Sequence, residues 1–237
     1  MFPDECRICQ RSLGGFTRIP VCAACMRGPE PLAAEFFCVS CRMPFQNRFP
    51  LDDAGQCRLC RSGALGFDAV YCFGSFEGPL RELIHLFKYA GMKALAKPLG
   101  AQLAAALPRD QQFDVVVPMP LHWRQRWQRG FNQSELLARF TARRCGIPMI
   151  AAARRLRATR NQAGLSNAKR RGNVSGAFVI AKPDAVAGQH VLLVDDVMTT
   201  GATASACARA LKRAGAKSVA VLTLARVDRR LTDVRDA

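Results

Sequence analysis

Residues 191–203 read Val191-Leu192-Leu193-Val194-Asp195-Asp196-Val197-Met198-Thr199-Thr200-Gly201-Ala202-Thr203. Four consecutive apolar residues predict a short strand covered on both faces, as in a parallel sheet. Asp195 and Asp196 follow at its C-terminal end, where open α/β sheets bind ligands. The next loop is small and rich in hydroxyls. Thr199, Thr200 and Thr203 offer O–H groups, Ala202 adds little bulk, and Gly201 lets the backbone approach closely. Thr203 opens a predicted helix that runs to Ala214 and is closed by Gly215, so the loop lies at a helix N-terminus with free N–H groups and the positive dipole end. This arrangement suits a phosphate monoester beside a diol, the two carboxylates accepting from ribose hydroxyls. An acidic pair ending a strand also serves as a Mg²⁺ site in other doubly wound proteins. Here the phosphate loop follows at once and favours the first reading.

The flanking chain has the same alternation. Val70–Phe76 predicts a strand, and Leu80, Leu83, Ile84 and Phe87 follow at helical spacing toward Gly91. Leu95–Leu107 predicts a helix. Phe113–Val117 predicts a buried strand stopped by Pro118 and Pro120. Asn132–Cys145 predicts a helix ended by Gly146 and Pro148. Ala177–Ala181 and Val219–Leu224 predict further strands, and residues 157–175 predict a loop. Strands alternating with helices predict an α/β, doubly wound, mostly parallel sheet.

Residues 1–64 differ. Eight of the eleven cysteines lie there, in four Cys-x-x-Cys pairs: Cys6/Cys9, Cys22/Cys25, Cys38/Cys41 and Cys57/Cys60. Four thiolates suit a tetrahedral Zn²⁺, and a Cys-x-x-Cys turn presents two of them together. The simplest pairing gives two structural zinc sites, Cys6, Cys9, Cys22 and Cys25 in one and Cys38, Cys41, Cys57 and Cys60 in the other. An interleaved pairing is open, as is iron–sulfur ligation. Closed four-cysteine sites leave no position for catalysis. Cys72, Cys145 and Cys207 stand in apolar contexts that predict buried, inert thiols. The division expected is a Cys-rich double zinc module over 1–64 and a second domain over 65–237, with Gly63 and Gly66 marking the boundary.

The chain has 237 residues, 49% apolar, enough for a substantial core and too many for a disordered tail. No apolar run approaches the ~20 residues of a membrane span. The acidic start at Asp4 and Glu5 is unlike a secretory signal, so the expected location is cytoplasmic. The net charge is +17, which favours a polyanionic or phosphate-rich partner. Most of the excess lies in residues 122–171, which hold thirteen Lys and Arg against one acid, Glu135. Both tryptophans, Trp123 and Trp127, sit there among Arg124, Arg126 and Arg129. Cations that track a backbone, interleaved with aromatics that stack on bases, suit single-stranded nucleic acid. The competing reading buries both tryptophans, four residues apart, on one helix face and leaves the arginines solvated or serving a pyrophosphate.

Residues 191–203 also resemble the phosphoribosyl-pyrophosphate (PRPP) signature of type I phosphoribosyltransferases. With Lys88-Tyr89, Val117–Leu121, Arg129-Gly130-Phe131-Asn132-Gln133, Gln162–Leu165, Asn173 and Ala177-Phe178, nearly the whole chain resembles the ComF family, to which the GntX proteins belong. One departure is Lys169, where many relatives carry an acid before Arg170. The resemblance implies a zinc module joined to a phosphoribosyltransferase-like domain. It implies a competence role, handling imported single-stranded DNA in natural transformation or for use as a nutrient, beside DNA-uptake helicase machinery. It implies PRPP held with Mg²⁺, by Asp195 and Asp196 at the ribose and Thr199–Thr203 at the 5′-phosphate. Met119, Pro120 and His122 match the pyrophosphate loop, and Lys169 and Arg170 match a mobile loop over the ligand. His122 is the one candidate general acid, set against a surface or structural role. No catalysed reaction follows from the resemblance. The alternative is an active transferase that moves phosphoribose from PRPP to an unknown base or amine.

Overall fold

A computed structural model describes residues 5–15, 17–45, 47–63, 65–156 and 176–227. In chain order the strands are β1 (Phe36–Phe37), β2 (Pro44–Phe45), β3 (Ala69–Ser75), β4 (Val115–Pro118), β5 (Ala153–Arg155), β6 (Phe178–Ile180), β7 (His190–Met198) and β8 (Ser218–Arg226). The helices are α1 (Ala23–Arg27), α2 (Arg58–Arg61), α3 (Gly78–Tyr89), α4 (Ala96–Ala105), α5 (Trp123–Arg129), α6 (Gln133–Cys145) and α7 (Ala202–Arg213). The main sheet is parallel, in the order β3-β8-β7-β4.

Alternation along each central strand sends side chains to two separate cores. Val191, Leu193, Val115, Val117, Val219 and Val221 face a core shared with Cys207 and Leu211 of α7. Leu192, Val194, Val116, Ala220 and Leu222 face one shared with Leu83 of α3, Leu99 of α4 and Leu137 of α6. Helices therefore cover both faces, which is why the strand sequences are nearly continuous in apolar residues. The doubly wound expectation holds.

Several boundaries differ from the sequence reading. β7 does not stop at Val194. β8 is nine residues long and pairs with β7 as far as Met198 opposite Arg226, so Asp195 and Asp196 lie inside the strand. On the other side β4 ends at Pro118, opposite Val194. Beyond Val194 the β4 side of β7 is open, and the cleft begins there. Residues 178–180 form a small antiparallel ribbon with β5 and are not part of the main sheet. The helix α5 was not expected as an element, although helical spacing of its tryptophans was. The loop expected over 157–175 lies outside the described residues.

The cysteine-rich segment packs on both cores. Cys38, Cys41, Met43, Phe45 and Cys57 join the core that holds Phe67 and Val70, while Cys6 and Val21 join the core around α3. Leu32 N–H donates to the Phe73 carbonyl at 2.6 Å and Val70 N–H to the Cys41 carbonyl at 2.9 Å, tying the segment to β3. The Arg226 guanidinium stands 4.5 Å over the Phe45 ring and donates to the Pro44 carbonyl. Gly66 presses on α7 so closely that an added Cβ would lie 2.1 Å from the Ser205 carbonyl oxygen.

Candidate functional site

The open edge of β7 forms one wall of a cleft of about 480 Å³. Asp195, Asp196, Met198, Thr199, Gly201, Ala202 and Thr203 line it from β7 and the following loop. Gly201 adopts φ +71°, a left-handed conformation that L side chains rarely take, and it caps the N-terminus of α7. The Thr200 hydroxyl is turned to the loop itself, accepting from Ala202 N–H at 3.4 Å. The loop runs into the start of α7, where the first turn of a helix presents N–H groups that lack intrahelical acceptors, an arrangement that suits a phosphate.

The two carboxylates are held from inside the protein. Ser134 Oγ donates to Asp195 Oδ1 at 3.0 Å, and the Asp196 N–H donates to the same oxygen at 2.9 Å. Lys88 Nζ makes an ion pair with Asp196 Oδ1 at 2.9 Å. Burial and the neighbouring Asp196 charge push the Asp195 carboxyl up to about 7, against the pull of Lys88 and Ser134. Arg155 lines the cleft too, over the Phe178 ring at 5.6 Å. Burial lowers its guanidinium pKa and the Asp195 charge raises it.

Across the cleft, Met119, Pro120 and Leu121 follow β4. Asn132 fixes this turn. Its side-chain oxygen caps α6 by accepting from Ser134 N–H at 3.0 Å, while its Nδ2 donates to the Met119 carbonyl at 3.0 Å. His122 is buried and caps α5, its Nδ1 accepting from Arg124 N–H at 3.3 Å. It is not among the cleft-lining residues. Lys169 and Arg170, expected over the ligand, lie outside the described residues.

The helix α5 carries the aromatic and basic residues singled out by sequence. Trp123 is 63% exposed and Trp127 84%, so the reading that buries both is overturned. Arg124 stacks on Trp123 at 5.2 Å, and Arg126 reaches Glu135 only at 3.9 Å. Arg129 ends the helix, stacks on Tyr89 at 5.2 Å and lines the cleft. Tyr89 in turn packs edge-on to His85, and His85 against Phe76, all three on the cleft wall. The cleft and the face of α5 are thus contiguous.

The eight cysteines gather in chain order. Sγ atoms of Cys6, Cys9, Cys22 and Cys25 all lie within 4.8 Å of one another, and so do those of Cys38, Cys41, Cys57 and Cys60. The Sγ pairs Cys9–Cys22, Cys38–Cys60 and Cys41–Cys57 are 3.7, 3.6 and 3.8 Å apart. Zn–S bonds of about 2.3 Å at tetrahedral angles require an S–S edge of about 3.8 Å. Backbone N–H groups support the sulfurs, from Cys22 to Cys6 at 3.3 Å, Cys25 to Cys22 at 3.4 Å and Cys57 to Cys38 at 3.3 Å. Both clusters can hold zinc in the simplest pairing. The lone cysteines divide. Cys207 is buried as expected and Cys72 is partly buried, but Cys145, in the last turn of α6, is exposed. The apolar spacing near Cys145 serves its neighbours Thr141 and Ala142, and the cysteine itself points away from the core.

Lys88, Ser134 and Arg155 were not singled out as site residues. Lys88 belongs to a recognised Lys-Tyr pair, and Ser134 follows the Arg-Gly-Phe-Asn-Gln stretch, so the sequence marked their vicinity. Nothing local marked Arg155, which reaches Asp195 only through the fold.

The comparisons with known proteins agree with this geometry. The family model described as "Phosphoribosyl transferase domain" matches residues 134–236. With the parallel sheet and the acidic pair beside the Thr199–Thr203 loop, the chain is a protein with a phosphoribosyltransferase-type fold and an N-terminal pair of four-cysteine clusters. It is 30% identical over 232 residues to the DNA utilization protein YhgH of Escherichia coli, covering 94% of this chain and 97% of that one. It is 32% identical over 181 residues to competence protein F of Haemophilus influenzae, covering 73% and 79%. It is 29% identical over 230 residues to competence protein ComFC of Bacillus subtilis, covering 94% and 85%. The chain belongs to the ComF family. A solved glutamine PRPP amidotransferase from Bacillus subtilis is 27% identical with a TM-score of 0.39, over 55% of this chain and 26% of that one. At that score the likeness adds nothing to the assignment. Among the described residues no helix is long and apolar enough to cross a membrane.

Proposed function

We propose that this protein handles single-stranded DNA in the cytoplasm, in natural transformation or nutrient use of DNA, and that its cleft holds PRPP. The observation that carries the reading is the placement of α5. It exposes Trp127 at 84% and Trp123 at 63%, and its last residue, Arg129, forms part of the cleft wall. Exposed tryptophans with interleaved arginines stack on bases and track phosphates. Relatives named for competence and for DNA utilization support the same reading. In the cleft, Asp195 and Asp196 accept from the ribose hydroxyls, and the loop from Thr199 to Thr203 takes the 5′-phosphate. Mg²⁺ would arrive with the ligand's diphosphate and neutralise part of its charge. Thiolate clusters of this spacing hold zinc that folds the N-terminal segment.

The carboxylate pair and phosphate loop also favour a second reading, transfer of phosphoribose from PRPP to a base or amine. The bond from the anomeric carbon to the pyrophosphate oxygen breaks, a bond to the acceptor nitrogen forms, and pyrophosphate leaves. Positioning and leaving-group stabilisation would carry most of that step.

The test is fluorescence anisotropy of labelled single- and double-stranded oligonucleotides against salt, with and without Mg²⁺ and PRPP. Tighter single-strand binding is expected, with log K falling by about 0.7 per log unit of salt for each phosphate contacted. Absence of single-strand binding at moderate salt overturns the DNA reading. Bases are then screened for pyrophosphate release from PRPP.

A further inference from the structure

We infer that Lys88 makes the cleft select a ribose phosphate that carries a diphosphate over bare ribose 5-phosphate. The inference rests on the phosphoribosyl reading of the cleft. Lys88 Nζ lies 2.9 Å from Asp196 Oδ1, and the two side chains are only 15% and 11% exposed. Asp195 Oδ1 is already taken by the Ser134 hydroxyl and the Asp196 N–H. A diol that approaches the acidic pair therefore meets a carboxylate in use by a cation.

A neutral hydroxyl that replaces the ammonium at Asp196 leaves a largely shielded positive charge without its partner. That loss is costly, because an unpaired buried charge forfeits its hydration with no return. A ligand that also brings a diphosphate changes the balance. It offers the ammonium a more strongly anionic partner within the sweep of a flexible four-carbon stem. The helix itself stays in place, since Leu83, Ile84 and Phe87 of α3 are fully buried. Only the Lys88 side chain needs to swing, from Asp196 toward the turn at Met119–Leu121, which lines the same cleft. The exchange frees Asp196 for the ribose as it anchors the diphosphate. Bare ribose 5-phosphate brings no such partner, so its binding carries the full penalty.

Lys88 acts here as a specificity-determining residue, and a merely structural ion pair would leave ligand preference unmoved. Isothermal titration with PRPP and, separately, ribose 5-phosphate, without divalent metal, reads the ratio of the two affinities. In the wild type PRPP should bind at least about tenfold tighter, the scale of one charge-assisted hydrogen bond. In Lys88→Met the ratio should collapse toward one, with ribose 5-phosphate gaining and PRPP losing. Lys88→Gln keeps a donor for Asp196 without the charge and should collapse it likewise, and it serves if the Met variant fails to fold. Lys88→Arg should keep most of the preference. An unchanged ratio in a folded Met or Gln variant overturns the inference while leaving the phosphoribosyl reading intact. If neither ligand binds the wild type, that reading falls and the inference with it.

Discussion

The cleft and the face of α5 meet at Arg129 but are built on opposite terms. In the cleft, Asp195 and Asp196 are engaged by Ser134, a backbone N–H and Lys88, and Asp196 is 8% exposed. On α5, Trp127 is 84% exposed and Trp123 63%, the latter with the His122 ring at 5.5 Å and the Arg124 guanidinium at 5.2 Å. A ligand in the cleft competes with partners already in place. A ligand on α5 meets a largely exposed Trp127 and competes at Trp123 only with the stacked Arg124. On the proposed reading, the first arrangement would favour selectivity and the second tolerant, salt-dependent contact.

The severest way to break the comparison strikes beneath both regions. Chelation of zinc, or Cys41→Ser in the second cluster, should halve the zinc content in the variant and remove it under chelation. Structural zinc supplies on the order of 10 kcal/mol in small modules, comparable with a whole domain's stability of about 5–15 kcal/mol. Because Cys41 and Phe45 share a core with Phe67 and Val70, the melting temperature of the whole chain should fall. Metal analysis with calorimetry reads both quantities. A second cluster that empties without any thermal shift would separate the segment from the sheet energetically.

The double variant Asp195→Asn, Asp196→Asn should sharpen the contrast next. Loss of two charge-assisted acceptors should weaken PRPP binding by about 100-fold or more, at roughly 1.5–3 kcal/mol each. Single-strand affinity should stay unchanged, read by titration and anisotropy on one preparation. A matching fall in both would mean that the DNA enters the cleft. The mirror variant, Trp127→Ala, should weaken single-strand binding by about 1–3 kcal/mol, roughly five- to 150-fold, and leave PRPP untouched. Equal loss for both ligands would fuse the two regions into one site.

The smallest effect is one of pH. Asp195 is raised to about 7 by burial and Asp196, and ribose hydroxyls need its ionised form. Ligand binding should therefore strengthen by about tenfold between roughly pH 6 and pH 8, and Asp195→Asn should flatten the profile. In the ligand-free protein the sign is opposite. A carboxyl with a raised folded pKa stabilises the fold below its ordinary range, and that contribution is lost as pH climbs to about 7. α5 holds no acid, so single-strand binding should be flat across this window.

Much of the fold was legible because strong local signals agreed. The run from Val191 to Val194 had to be buried on both faces, and a thiolate pair in a Cys-x-x-Cys turn has few uses besides a metal. Asn132 and Gly146 bracket α6 as an N-cap and a left-handed C-cap, at the positions where such residues end helices. The end of β7 was harder to place. Its length depends on β8 pairing as far as Arg226 and on Pro118 ending β4, and neither partner is local to β7. His122 illustrates the same limit. A histidine beside an Arg-rich segment is more often structural than an acid, but only the fold shows the role, with Arg124 N–H donating to its Nδ1.

The sequence alone determined the chemistry available: an acidic pair, a hydroxyl-rich loop at a helix N-terminus, two sets of four thiols, and tryptophans set among arginines. These are short-range patterns, written within a dozen or so residues and read from bonding preferences. Only the tertiary structure decided which groups meet. Lys88 lies more than a hundred residues before Asp196, and Ser134 reaches Asp195 across 61 positions. Such pairings arise because packed helices and a parallel sheet bring distant chain segments to one edge, and no local pattern encodes that distance. Exposure was decided in the same way. Trp123 and Trp127 are largely exposed, and the two cores draw their buried α-helical side chains from α3, α4, α6 and α7 and none from α5.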